Sequence, residues 1–282
     1  MGGGTYSSVS RMHSIRAAMY ATSSPTAIFM ERSINNAMNP CGVQIRESRD
    51  SSEHPESLAI IIALDVTGSM GSVPHYLVKE GLPAIMDAII NSGIKDPQVL
   101  FLGIGDHECD HAPLQVGQFE SSDELLDKWL TTIFLEGGGG SNYGESYMLA
   151  WYFAAYHTDI DCLNKRGQKG FLFTIGDEPV LKSIPKVVIK SIMGDGQYED
   201  FDSSKLLEKA MEKYNCFHIH IRETGSGSRQ SVIDHWKQII QDNLIIANRR
   251  QDVASIISEV VSKRKTKAAT NQKEAAKEDM ML

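Results

Sequence analysis

Three short stretches of this chain carry side chains able to hold a hard cation. In DVTGSM at 65–70, the carboxylate Asp65 is followed by hydroxyls at alternate positions, Thr67 and Ser69. Gly68 is expected to let the backbone turn so that all three face one point. In EGGGGSNYGES at 136–146, the glycines allow close backbone approach, and Ser141 or Asn142 can add an oxygen. In FLFTIGDEP, Asp177 emerges just past an apolar run. Such oxygens suit Mg²⁺ foremost, with Mn²⁺ or Ca²⁺ as substitutes, and Mg²⁺ holds its ligands at roughly 2.1 Å and keeps several waters. Two carboxylates balance the ion's charge, while the neutral hydroxyls leave it electron-poor. A partner's Asp or Glu can therefore complete its coordination.

These loops need strands that end beside one another, and the pattern from residue 57 onward supplies them. LAIIIALD is a β-branched apolar run without a polar face, which predicts a central strand. An apolar stripe from Leu77 to Ile90 predicts a helix over 73–91, kinked at Pro83. QVLFLGIGD and LQVGQF read as neighbouring strands, the second antiparallel. A helix through DELLDKWLTTIF, capped by Ser121 or Ser122, is followed by a buried helix over 147–156 and by the strand GFLFTIGD. Helix 203–213, strand CFHIHI, helix 231–241, the edge strand NLIIA and helix 252–262 complete the alternation. The expected fold is α/β, a doubly wound, mostly parallel six-stranded sheet with helices on both faces and one antiparallel strand. Residues 180–202 read as a long connection at the strand ends, suited to shaping a site. Residues 1–56 read as an arm, 57–262 as the domain and 263–282 as a charged tail.

The loop pattern resembles a von Willebrand factor A domain with its metal-ion-dependent adhesion site. DVTGS is similar to that family's D-x-[ST]-x-S, Ser141 falls where a second-loop Thr usually sits, and Asp177 falls at the third-loop Asp. The succession GDHECD, GGGGSNYGES and FTIGDEP is similar to intracellular A domains related to those accompanying alpha-kinases. The resemblance covers about residues 57–262. It implies a Mg²⁺ site built from Asp65, Thr67, Ser69, Ser141 and Asp177; Asp106, in the loop after the second strand, is a further candidate from its position alone, as an outer acceptor for a metal-bound water, and the family gives it no firm role. It also implies a non-enzymatic adaptor that captures an acidic residue of a protein partner, such as a MoxR-type AAA+ ATPase.

Rival chemistries fit less well. A P-loop needs a Lys after its last Gly, and none follows the glycine run. A phosphatase of the haloacid dehalogenase class needs a second Asp two residues after the first, where Thr67 stands. A Mg²⁺-dependent phosphohydrolase with Asp65 as nucleophile remains the alternative enzyme, and a structural or assembly component, viral in origin, the other alternative. His107, Cys109, Asp110 and His111 crowd into too few residues to surround one zinc ion, which favours a solvated loop. His218, His220 and the three tryptophans read as core. The four cysteines form no C-x-x-C pair and read as reduced, mostly buried thiols. A net charge of −8 over 282 residues argues against nucleic acid. The longest apolar run, Leu58 to Leu64, is too short for a membrane span, and the expected location is the cytosol.

Overall fold

The computed structural model describes residues 6, 15, 18–20, 22–137 and 144–263. Ser141, Asn142 and the charged tail lie outside the described residues. Ten strands are described: β1 (Arg46–Ser48), β2 (Ser57–Asp65), β3 (Asp96–Ile104), β4 (Leu114–Val116), β5 (Thr158–Ile160), β6 (Gly170–Gly176), β7 (Ser183–Ile184), β8 (Phe201–Asp202), β9 (Tyr214–Ile221) and β10 (Leu244–Ala247). Six of them form the central sheet in the order β10-β9-β6-β2-β3-β4. All its pairings are parallel except that of β4 with β3. This is the expected architecture. Every residue of β2 is buried, as its unbroken apolar sequence requires of a strand with neighbours on each side and helices over its faces.

Besides a four-residue α-helix at Pro25–Ile28, the helices are α1 (73–91), α2 (Asp123–Thr131), α3 (Met148–Tyr156), α4 (Asp161–Arg166), α5 (Lys186–Met193), α6 (Ser203–Lys213), α7 (Gln230–Ile240) and α8 (252–263). Ser122 caps α2, accepting from the Leu125 amide at 3.4 Å. In α1 a π-turn over Leu77–Gly81 joins α-helical Val73–Tyr76 to α-helical Leu82–Asn91. The amide of Leu82 reaches the Leu77 carbonyl, five residues back. The expected kink at Pro83 is therefore a widened turn just ahead of it.

Two expectations are corrected. Residues 180–202 are not a plain loop, because they hold α5 and the antiparallel pair β7–β8. Pro185 at the N-cap and Gly194 past the end frame that helix, a start-and-stop signal of the usual kind. Of the four thiols only Cys162 and Cys216 are buried, while Cys41 and Cys109 are exposed.

Residues 46–50, at the end of the expected arm, are stitched to the domain. β1 pairs in parallel with β5. The Gln98 side chain accepts from the Ser48 hydroxyl (2.8 Å) and the Arg49 amide (3.0 Å), and donates to the Arg49 carbonyl (2.9 Å). Arg49 binds Asp159 and Asp161, and Arg166 binds Asp50 at 2.7 Å. Among the described residues no helix is long and apolar enough to cross a membrane.

Candidate metal centre

The chain passes from β2 to β3 on one side of the sheet and returns to β6 on the other, so the carboxyl ends of β2 and β6 flank the point where the winding reverses. Open α/β sheets place their ligands there. Asp65 is the last residue of β2 and Asp177 the first after β6, and both are fully buried.

Four of the five residues expected from sequence come together; the fifth, Ser141, lies outside the described residues. The Thr67 amide and hydroxyl donate to Asp65 Oδ1 at 2.9 and 2.7 Å. The Ser69 hydroxyl donates to Asp177 Oδ1 at 2.7 Å. Because each hydroxyl hydrogen has a carboxylate to serve, the 3.2 Å approach of Thr67 Oγ1 to Ser69 Oγ sets lone pairs against lone pairs. Adjacent oxygens around a Mg²⁺ ion with bonds of roughly 2.1 Å lie about 3.0 Å apart, close to this spacing.

The loop itself is a 3₁₀ turn over Gly68–Met70, anchored by the fully buried Met70. Gly71, at φ 51°, is the glycine this turn requires, and Gly68 keeps an ordinary negative φ, contrary to the expectation that it makes the turn.

Further residues brace the two carboxylates. The Tyr147 hydroxyl donates to Asp65 Oδ2 at 2.5 Å, so both oxygens of Asp65 are fixed. Tyr147 meets the rings of His218 and Trp236 edge-on, each at 5.3 Å. Trp236, on α7, stacks on His218 at 3.5 Å and donates its indole N–H to the Glu178 carbonyl at 2.9 Å. Arg229 pairs with the Glu178 carboxylate at 2.7 Å. The backbone beside Asp177 is thus propped from α7. Asp106, offered as an outer acceptor, is buried, and its charge acts on Glu145.

Glu145 is a site residue outside the ligand set expected from sequence. Its sequence neighbourhood, an acid at the start of a helix, gives an ordinary reason for a Glu. In the fold it is buried, with the Thr67 hydroxyl in hydrogen-bond reach of its carboxyl. Its amide donates to Pro179 O at 2.8 Å, and its carbonyl accepts from Leu181 N at 3.0 Å. The loop at 144–146 is thereby clamped to the one that carries Asp177.

Asp177 Oδ2 and Glu145 Oε2 are buried without a hydrogen-bond partner. An uncompensated buried carboxylate oxygen is costly, and a cation at the site supplies the missing partner, so the donor set fits a hard divalent ion. Among the described residues no three His, Cys, Asp and Glu side chains are grouped to hold a metal by themselves. The convergence is one of carboxylates with hydroxyls.

The same crowding shifts titration. Burial first, then the charge of Asp177, holds the Asp65 carboxyl well above its usual range. Burial, then Asp65 and Asp106, raises that of Glu145. Between about pH 4 and neutrality the metal-free folded protein therefore holds protons that the unfolded chain has lost, and its stability falls as pH rises through that window. A bound cation displaces those protons and cancels the loss. Mg²⁺ is expected to raise Tm by several degrees more at about pH 8 than at about pH 5, measured by scanning calorimetry. Equal increments at the two pH values would contradict this.

No known protein-family profile matches the chain, and no curated protein matches it in sequence. Among solved structures it is similar to the pilus adhesin SpaC from Lactobacillus rhamnosus GG in its open conformation, with 11% identity and a TM-score of 0.48 over 77% of this chain. The match spans only 31% of that SpaC chain. It is also similar to the conserved hypothetical protein BatB from Bacteroides thetaiotaomicron, with 12% identity and a TM-score of 0.45, over 73% of this chain and 98% of that one. For the vWF domain of the type V pili tip protein Mfa5 from Porphyromonas gingivalis the values are 8% and 0.47, over 74% and 95%. These are likenesses of fold at low identity, and no residue's role is carried across from them. By its own strand order, its antiparallel edge strand and its loops at the ends of β2 and β6, the domain is a doubly wound α/β domain with its candidate site at the carboxyl edge of the sheet.

Proposed function

We propose that this domain is a protein-binding adaptor that holds a divalent cation, Mg²⁺ foremost, with Asp65, Thr67, Ser69 and Asp177, and captures a partner through that partner's exposed Asp or Glu. The observation that carries this reading is the chain of contacts from Asp65 through Thr67 and Ser69 to Asp177, ending in a buried carboxylate oxygen with no partner. A cation bound there supplies positive charge and a coordination place for an outside oxygen. The chain's own groups do the rest. Tyr147 and Thr67 orient Asp65, and Ser69 orients Asp177. Support for binding over phosphoryl chemistry comes from Asp65 itself, whose oxygens are both engaged and fully buried, a poor setting for a nucleophile. By its resemblance to intracellular A domains, a MoxR-type AAA+ ATPase in the cytosol is the partner to test first.

The test is capture from extract of the native cell on immobilised full-length protein, with Mg²⁺ or with EDTA, beside calorimetric titration of Mg²⁺ and Mn²⁺. A partner retained with Mg²⁺ and lost in EDTA is the expected result. Retention of the same partner in EDTA, or no heat of metal binding, would overturn the reading. Turnover of a phosphate monoester that Asp65→Asn abolishes would establish the hydrolase instead.

A further inference from the structure

The rim around the centre is polarised. On the side of β3, the loop at 105–111 carries Asp106, Glu108 and Asp110. On the side of β9 and β10, the connections at 222–229 and 248–252 carry Arg222, Arg229, Arg249 and Arg250 against Glu223 and Asp252. In a chain with 36 acidic residues and 28 Lys and Arg, that is a local excess of base. Both basic connections reach the centre. β6 and β9 are parallel neighbours with Gly176 opposite His220, so Asp177 and Arg222 leave adjacent strands at the same edge. The Arg222 amide donates to Ala247 O at 2.9 Å, and the buried His220 ring feels the charges of both Asp177 and Arg222. Arg229 pairs with Glu178, the residue after Asp177. β10 lies three places from β2 in the sheet, yet Arg250 donates to the hydroxyl of Ser72, three residues past Ser69. The connection after β10 therefore reaches the start of α1, directly after the loop of Thr67 and Ser69. Arg229 and Arg250 are engaged, the first by Glu178 and the second by Glu223 at 3.0 Å. Arg222 and Arg249 are exposed, and among the described residues neither side chain is hydrogen-bonded or paired with an acid.

We propose that Arg222 and Arg249 form a second recognition point beside the centre, and that the partner segment is diacidic: one carboxylate goes to the cation and another, two residues along, to these arginines. This rests on the cation-binding reading above and specifies the partner. The spacing follows from the sheet. Neighbouring strands lie about 4.8 Å apart, and alternate residues of an extended segment about 7 Å apart. A segment laid across the strand ends from β2 toward β10 brings its second acid over β9 when the first sits between Asp65 and Asp177. Laid the other way, the same segment carries its second acid over Asp106, Glu108 and Asp110, which repel it. The rim thus selects a pair of acids over a single one and fixes the direction in which they run.

Two labelled glycine hexapeptides test this on the full-length protein, one carrying a single aspartate and the other a second aspartate two positions on. Binding is read by fluorescence anisotropy with Mg²⁺ and with EDTA, for wild type, Arg222→Gln, Arg249→Gln, the double variant and Lys237→Gln. Circular dichroism checks that each variant folds, and Lys237→Gln, on the exposed side of α7, controls for net charge. Wild type with Mg²⁺ is expected to bind the diacidic peptide about 5-fold more tightly than the monoacidic one, the scale of an exposed ion pair. That preference should vanish in the double variant, persist in Lys237→Gln and shrink as salt is raised. Equal affinity of wild type for the two peptides would overturn the proposal, as would binding of neither. So would a preference that survives in the double variant, or one that Lys237→Gln removes as well. An arginine-dependent preference that is the same in EDTA upholds the rim and refutes the cation reading. Binding that needs Mg²⁺ but ignores the second aspartate upholds the cation and refutes the rim.

Discussion

Replacing Asp65 by Asn is expected to weaken Mg²⁺ binding by more than about 100-fold while leaving the fold in place. Outer-shell substitutions at metal centres already cost roughly 10–100-fold, and a charged ligand should exceed that range. Asn keeps the size of Asp and an oxygen able to accept from Thr67 or Tyr147, so the network around it is largely retained. It also removes one of two buried like charges, because the charge of Asp177 opposes that of Asp65 in the absence of a cation. The metal-free variant should therefore be no less stable than metal-free wild type, and the two should part only when Mg²⁺ is added. Urea unfolding with and without Mg²⁺ reads both quantities. A variant that still gains stability from Mg²⁺ would mean that the ion sits elsewhere.

Replacing Gly176 by Ala should be the most damaging small substitution near the centre. A Cβ at Gly176 would stand 1.8 Å from the Tyr147 hydroxyl oxygen and 2.5 and 2.7 Å from two ring carbons. Tyr147 is fully buried against His218 and Trp236, so it has nowhere to retreat. Overpacking of this severity is expected to cost about 3 kcal/mol, the upper end of the usual range. It should also loosen Asp65, since the displaced hydroxyl is the donor to Oδ2. Adding Tyr147→Phe should not restore stability, because the ring carbons alone still collide with the new methyl. A urea midpoint equal to wild type in Gly176→Ala, or full rescue by Phe, would show that Tyr147 packs differently.

What the sequence makes legible here follows from how local each signal is. The short, β-branched apolar run of β2 reads as a strand covered on both faces, and Asp65 and Asp177 stand visibly at the ends of such runs. Thr67 and Ser69 are legible for the same reason, because their relation to Asp65 lies within one short loop. Glu145 is not, since its meaning depends on loops more than thirty residues away in either direction. Tyr147 and Trp236 look like ordinary core aromatics, and their polar ends reveal a second task only when Asp65 and Glu178 are in place. Strand β1, only three residues long, has no periodicity to detect, and its partner β5 lies more than a hundred residues further on.

The widened turn in α1 leaves an imprint on the chain that can be read as rhythm. Buried positions fall at 73 and 74, 77 and 78, 81 and 82, 85 and 86, and 89, a beat of four throughout. A regular helix advances about 100° per residue, so steps of four would slide the apolar side around by about 160° between Val73 and Ile89. The one surplus residue taken up at Leu77–Gly81 returns about 100° of that slide and keeps both halves of α1 seated on the same sheet. The segment that leaves the loop of Asp65, Thr67 and Ser69 is thus cut to a pitch that an unmodified helix could not match.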